Sequence, residues 1–103
     1  MSYSDPTRSS HPNAVTCFSV LTEAEPTTLA RVLEVFALRE VMPAHFHSVL
    51  DAAPDDHAAS HCLNVDIQVA DLSPDAAAAI ARKLGAVVGV RAVLTREQAM
   101  GND

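Results

Sequence analysis

Four of the five histidines stand near the middle of the chain, where imidazole nitrogens could bind a metal ion such as zinc. His45 and His47 are two residues apart in a strand-like run, so their side chains point to the same side of it. His61 opens the next such run, and His57 lies in the loop between. Hairpin pairing would place His61 opposite Asp51 rather than beside His45. We therefore predict exposed or interfacial histidines and no cofactor. A metal site through His45, His47 and His61, and a pH-sensitive histidine pair at an interface, remain alternatives.

Nucleophilic or acid–base catalysis is not favoured by the remaining reactive residues. Cys17 and Cys62 lie within strand-like runs, away from the helix N-terminus or turn that would activate a thiolate. Asp55 and Asp56 are predicted to be a solvated pair of charges in a loop. The three glycines form neither a dinucleotide-binding motif nor a P-loop. We therefore predict that the chain is not an enzyme, and that both cysteines are free, buried thiols.

The overall charge restricts the partners that the chain could bind. It has 103 residues, which suits one domain, and a formal net charge of −6. An acidic chain is a poor match for nucleic acid or for anionic lipid. No segment approaches the ~20 apolar residues of a membrane helix. Residues 1–13 are polar and contain no apolar signal-peptide core, so we expect a cytoplasmic protein with no nucleic-acid or membrane partner.

The first half of the chain predicts a strand, a helix and a second strand. Residues 14–21 are β-branched and apolar, which indicates a buried strand. Pro26 suits the first turn of a helix, and the apolar spacing predicts that this helix runs to about residue 40. Pro43 would block any continuation of the helix. Residues 44–51 then alternate as a strand, and residues 52–60 contain the Pro and Asp residues typical of a loop.

The second half repeats this order. Residues 61–70 alternate strictly, with apolar side chains on one face and four polar or small ones on the other, namely Cys62, Asn64, Asp66 and Gln68. Ser73 is the predicted N-cap of a second helix, with Pro74 at its first position and an alanine-rich body over 76–84. Gly85 or Gly89 would end that helix. Residues 90–95 form the last predicted strand.

This order predicts an α+β fold, the ferredoxin-like β-α-β-β-α-β sandwich, with a four-stranded antiparallel sheet and two helices on one face. We expect a flexible N-terminal tail over 1–13, the domain over 14–96 and a C-terminal tail over 97–103. RNA-binding domains of this topology need stacked aromatics and a basic surface, which this acidic chain lacks. Acylphosphatases need a Gly- and Arg-bearing first loop, and metal chaperones need a CxxC there; both features are missing.

Residues 18–39 resemble the ACT domain family and are most similar to the small regulatory subunit of acetolactate synthase. Their sequence is FSVLTEAEPTTLARVLEVFALR. The matching features are an acidic loop at 23–25, a helix that opens Pro26-Thr27-Thr28-Leu29, and Arg-Val at 31–32. Lys-Leu at 83–84 and the valines that follow extend the resemblance. It covers about residues 15–94.

The resemblance implies a regulatory protein of amino acid metabolism. ACT domains pair side by side, often into an eight-stranded sheet. Many bind an amino acid through backbone groups of the first strand–helix loop, which here contains Glu23, Ala24, Thr27 and Thr28. It also implies a homodimer, formed through the sheet edge or the open face, and a catalytic large subunit of branched-chain amino acid biosynthesis as a partner. A stand-alone amino acid sensor is the alternative.

Two residues of that loop depart from the amino-acid-binding pattern. Thr27 stands where such members have Gly, and Ala24 stands where they often have Asn or Asp. A side chain at Thr27 would crowd the carboxylate of a ligand that approaches the backbone. We therefore expect pairing to be the main role of the domain, ahead of ligand sensing.

Overall fold

The computed structural model describes residues 14–52 and 61–99, and six elements follow one another in this part of the chain. The strands are β1 (Ala14–Glu23), β2 (His45–Ala52), β3 (His61–Ala70) and β4 (Val90–Ala99), and the helices are α1 (Pro26–Leu38) and α2 (Pro74–Gly85). The strands form one antiparallel sheet in the order β2-β3-β1-β4. The predicted α+β, ferredoxin-like fold is therefore confirmed.

Both helices pack on the same face of the sheet, which we call the covered face. Alternate residues of β1 and β3 turn inward there, as the period of two requires. Phe18 and Phe36 meet edge to face at the centre, with ring centroids 5.7 Å apart and planes at 71°. Around this pair, the buried residues are aliphatic: Val20, Val32, Val65, Ile67, Val69, Leu72, Ile80 and Leu84, with Ala76 and Ala77.

The helix α2 begins as its sequence predicts. Ser73 is the N-cap, its hydroxyl accepts a hydrogen bond from the backbone N–H of Ala76 at 3.2 Å, and Pro74 occupies the first position. Asp75 adds a negative charge to the first turn, where the helix dipole favours it. The helix ends at Gly85. Local signals are sufficient at the start of the helix, because Ser73 and Pro74 act within one turn. At its end, Gly85 is the last helical residue and not the C′ residue expected from the sequence, and Ala86 is the C-cap with an ordinary φ of −87°.

The helix α1 ends two residues before the predicted residue 40. Glu40 adopts a left-handed conformation with φ of 56°. The N–H of Glu40 donates to the carbonyl of Ala37 at 3.0 Å, and the N–H of Val41 donates to the carbonyl of Phe36 at 3.0 Å. These two bonds form a Schellman motif with Glu where glycine is usual. The helix is therefore ended by this motif and not by Pro43.

Strand β4 is longer than predicted, because it continues past residue 95 to Ala99. Residues 97–99, which we expected in the C-terminal tail, pair with the start of β1, and Ala14 lies opposite Ala99. The start of β1 has backbone groups on this side that need partners, and a polar segment satisfies them as well as an apolar one. Residues 1–13, 53–60 and 100–103 lie outside the described ranges, and with them the N-terminal tail, most of the predicted loop, His57, Asp55 and Asp56.

The β2–β3 hairpin pairs one residue away from the predicted register. Ala52, not Asp51, lies opposite His61. The register of a hairpin depends on the length and conformation of its connection, and this connection is too long to define a turn type from the sequence. Neither of the two helices is long and apolar enough to cross a bilayer.

Candidate functional site

The loop between β1 and α1 is fastened to the loop between α2 and β4. The N–H of Glu23 donates to the carbonyl of Gly89 at 2.8 Å, and the Oγ1 of Thr28 donates to the carbonyl of Val88 at 3.4 Å. Thr28 is buried. Thr28 is one of the residues that the resemblance assigned to ligand binding, but its side chain makes a contact within the protein instead.

Gly89 allows this contact because it has no side chain. Its φ is +99°, and a Cβ at this position would lie 2.6 Å from the Oγ1 of Thr28. A side chain at position 89 would therefore be strained by the backbone conformation and would also collide with Thr28. The close approach keeps the two loops together at one end of the sheet.

The remaining residues of the first loop face outward. Thr27 is exposed, Ala24 is half-buried, and the carboxylate of Glu23 lies at the surface beside Arg91. The Oε2 of Glu23 is 4.0 Å from the Nη2 of Arg91, and both side chains are about half exposed. The Nη1 of Arg91 donates to the Sγ of the buried Cys62 at 3.9 Å. The loop thus offers Ala24 and Thr27 to a ligand, with a partly screened ion pair next to them.

The three histidines of the metal hypothesis do not come together. His45 and His47 are exposed on the edge strand β2, with ring centroids 6.0 Å apart. His61 lies at the opposite end of the hairpin and, by the alternation of β3, on the other face of the sheet. Within residues 14–52 and 61–99, no group of three or more metal-binding side chains is close enough to hold an ion.

The side of the sheet away from the helices, which we call the open face, has no layer packed on it within the described chain. The predicted polar face of β3 lies here, with Asn64 exposed and Cys62 buried. In the part of the chain that the structure describes, Cys17 and Cys62 are both free and buried, as predicted. The strand register aligns the open-face residues of β1, β2 and β4 with those of β3, so that they form rows across the sheet.

The middle of the open face mixes apolar and polar residues, and we call its four apolar residues, Val49, Leu21, Ala92 and Leu94, the apolar band. One row across β2, β3, β1 and β4 is Val49, Asn64, Leu21 and Ala92, and the next is His47, Asp66, Ser19 and Leu94. These residues line a shallow hollow of about 420 Å³. Leu94 is 72% exposed and Val49 is 40% exposed. The strand-by-strand prediction found the polar side of β3 but missed this apolar band, because its members come from the three other strands.

Charged side chains surround that band unevenly. Asp51 on β2 accepts a hydrogen bond from the amide of Asn64 at 2.6 Å, and Asp66 stands on β3. The arginines of this face, Arg91 and Arg96, both belong to β4. The negative charges therefore lie mainly on the β2–β3 half of the face and the positive charges on the β4 edge.

A family model described as an ACT-like domain matches residues 9–102. None of the curated proteins matches the sequence with significance. Twelve chains of solved structures match this chain, and two of them illustrate the shared fold. The C-terminal domain of the MgtC protein from Mycobacterium tuberculosis has a TM-score of 0.59 and 14% identity, over 88% of this chain and 94% of that one. The uncharacterised protein TM1266 from Thermotoga maritima has a TM-score of 0.56 and 18% identity, over 81% of this chain and 94% of that one.

Proposed function

The chain belongs to the ACT-like domain family, and from that premise we propose that it is a non-catalytic regulatory module that works by associating with other chains. Those chains are a second copy of itself and a catalytic subunit. The observation that carries the proposal is the open face, where Leu94 and Val49 are exposed on the two edge strands and Leu21, paired with Ala92, lies between them. Apolar side chains grouped on an exposed surface mark interaction sites more often than isolated ones do.

Self-association is tested by the mass of the purified chain. The monomer is 10.9 kDa, so light scattering during size-exclusion chromatography should give twice that mass at tens of micromolar. A strict monomer at that concentration, with no effect on any catalytic partner, would remove the proposal. We place the protein in the cytoplasm, where the free thiols of Cys17 and Cys62 would stay reduced.

For the catalytic partner, we propose the large subunit of an acetolactate synthase-type enzyme of branched-chain amino acid biosynthesis. The support is the likeness of residues 18–39 to the small subunits of such enzymes, and those residues form most of β1, all of α1 and the loop between them. The test is to purify the large subunit encoded by the same genome and assay it with and without this chain. An unchanged rate, together with no co-elution, would rule out this partner but not self-association.

Amino acid sensing is the second candidate, and the outward position of Ala24 and Thr27 favours it. Calorimetry against valine, leucine, isoleucine, serine and phenylalanine tests it directly. No heat and no thermal shift with any of them would remove it. The buried position of Thr28 leaves the ligand fewer groups to contact than the resemblance implies.

The variant Thr27→Gly sharpens that test. Removing the side chain next to the backbone should tighten the binding of an accepted amino acid by about tenfold, which corresponds to ~1.4 kcal/mol. The matched control is Ala30→Gly, because Ala30 is exposed on the same helix but outside the loop. Both variants carry the cost of glycine in a helix, so tighter binding by both would contradict a role for Thr27.

A further inference from the structure

We propose that two copies of this chain pack their open faces together about a two-fold axis that runs parallel to the strands, between β3 and β1. The inference rests on the self-association proposed above and assigns a surface and an orientation to it. In this arrangement β4 of one copy lies over β2 of the other, and β3 lies over β1. The partner is therefore a second copy of the same chain.

The apolar band supplies the apolar part of such a contact. Leu94 is 72% exposed on β4, and Val49 is 40% exposed on β2. The two-fold axis brings Val49 over Ala92 of the second copy, and Leu94 over His47, because rows at the same level of the sheet face each other. Both sheets then bury apolar side chains that a single copy leaves in water.

The distribution of charge favours a second copy as the occupant. The formal net charge of the chain is −6, whereas the open face carries three carboxylates and two arginines and therefore about −1. The carboxylates are Glu23, Asp51 and Asp66, and the arginines are Arg91 and Arg96. Two copies that repel each other elsewhere can therefore approach through this face.

The same axis also brings opposite charges together. Arg91 lies at the β4 edge on the level of Asp51, which lies at the β2 edge. Placing β4 over β2 puts each Arg91 near Asp51 of the second copy. Stacked sheets cross at about 30°, and the long arginine side chain can reach across the displacement that this angle causes near a corner. An isologous interface makes this contact twice.

The open face has the area of a small interface. Four strands spaced ~4.8 Å apart and eight paired residues of ~3.3 Å each cover about 19 by 26 Å in projection. The relief of the side chains increases the accessible area toward the ~800 Å² per partner of a standard interface. A weak to moderate homodimer is therefore the expected result.

The first test compares two exposed leucines on opposite sides of the molecule. Leu94→Asp should weaken the dimer by at least about 30-fold, since it replaces the most exposed apolar side chain of the contact with a charge. The control is Leu38→Asp at the end of α1, where the leucine is 77% exposed on the helix side. It should leave the dimer constant unchanged. Sedimentation equilibrium measures both.

The second test uses charge reversal. Arg91→Glu and Asp51→Arg should each weaken the homodimer, because each creates two repulsive contacts. Mixing the two variants should restore a heterodimer. In it, one contact is the native pair of Arg91 and Asp51, and the other joins the introduced Glu at position 91 to the introduced Arg at position 51. Neither change touches a buried group of the covered face, and a thermal melt at dilute protein checks that each variant is folded.

The outcomes separate this inference from the proposal on which it rests. A monomeric wild type removes self-association itself. A dimer that survives Leu94→Asp but is lost with Leu38→Asp keeps self-association and overturns the open face as its surface. A mixture of Arg91→Glu and Asp51→Arg that stays monomeric, while both single variants are folded, overturns the two-fold arrangement. A monomeric wild type that binds a catalytic large subunit through Leu94 also counts against a second copy.

Discussion

Phe18 and Leu94 belong to the same sheet, yet Phe18 is fully buried and Leu94 is 72% exposed. The difference lies in which face each occupies. Both helices cover the face of Phe18, and no described element covers the face of Leu94. An alternating strand specifies two faces, but it does not specify which face receives a layer from its own chain. The comparison teaches that the covered face holds the fold together, whereas the open face is the surface to which we assign the proposed partner.

The largest effect is expected from truncating the covered face. Phe18→Ala should lower the free energy of unfolding by about 3–5 kcal/mol, because it leaves a cavity against Phe36. Leu94→Ala should change it by less than about 0.5 kcal/mol at dilute protein. Urea denaturation measures both. Equal losses for the two variants would erase the distinction between the faces.

The next effect concerns the contact between Gly89 and Thr28, which joins the loop after α2 to the start of α1. Gly89→Ala should destabilise by about 1–3 kcal/mol, through its positive φ and its clash with Thr28. Gly85→Ala is the matched control, because a Cβ there meets nothing within 4 Å. It should be neutral or slightly stabilising. Thermal melts of the two variants check this, and similar melting temperatures would contradict the role given to Gly89.

A smaller effect separates the caps of the two helices on the covered face. Ser73→Ala should cost ~1 kcal/mol, because its hydroxyl accepts a bond from the N–H of Ala76. Glu25, the N-cap of α1, makes no side-chain cap bond, so Glu25→Ala should change stability by less than about 0.5 kcal/mol. Chemical denaturation of both variants decides between them. A larger loss at Glu25 would show that α1, not α2, depends on its cap.

The smallest expected change is a gain in stability. Glu40→Gly should stabilise by roughly 0.5–1 kcal/mol, because glycine adopts the left-handed conformation at the end of α1 without strain. Arg39→Gly is a suitable comparison, since Arg39 has an ordinary negative φ of −99°. It should give no gain. A stabilised Arg39→Gly, or a destabilised Glu40→Gly, would contradict the Schellman motif as the end of the helix.

The quality of the sequence prediction followed the range of the interactions involved. The start of α2 was predicted because Ser73 and Pro74 act on the backbone next to them. The end of α1 was misplaced because Glu40 adopts the left-handed conformation that is usual for glycine. No residue type at the end of α1 indicates this conformation in the sequence. The end of β4 was misplaced because the partner that extends it, β1, is distant in the chain.

The candidate site was harder to predict than the fold. The first loop was identified through its resemblance to ACT domains, but the inward position of Thr28 depends on Gly89, which lies far along the chain. The separation of His61 from His45 and His47 was predicted from hairpin pairing, but the exact register, with Ala52 opposite His61, required the structure. The apolar band required the registers of all three strand pairs together.

The sequence alone determined the order of the elements, the inward face of β3 and the start of α2. These follow from periodicity and from residues that act on their neighbours within one turn. The tertiary structure decided which residues of four strands share a row, which loop is fastened by Gly89, and which face of the sheet stays open. The physical reason is that strand register and the packing of layers bring together residues distant in the chain. The free energy of such contacts depends on both partners and cannot be read from either segment alone.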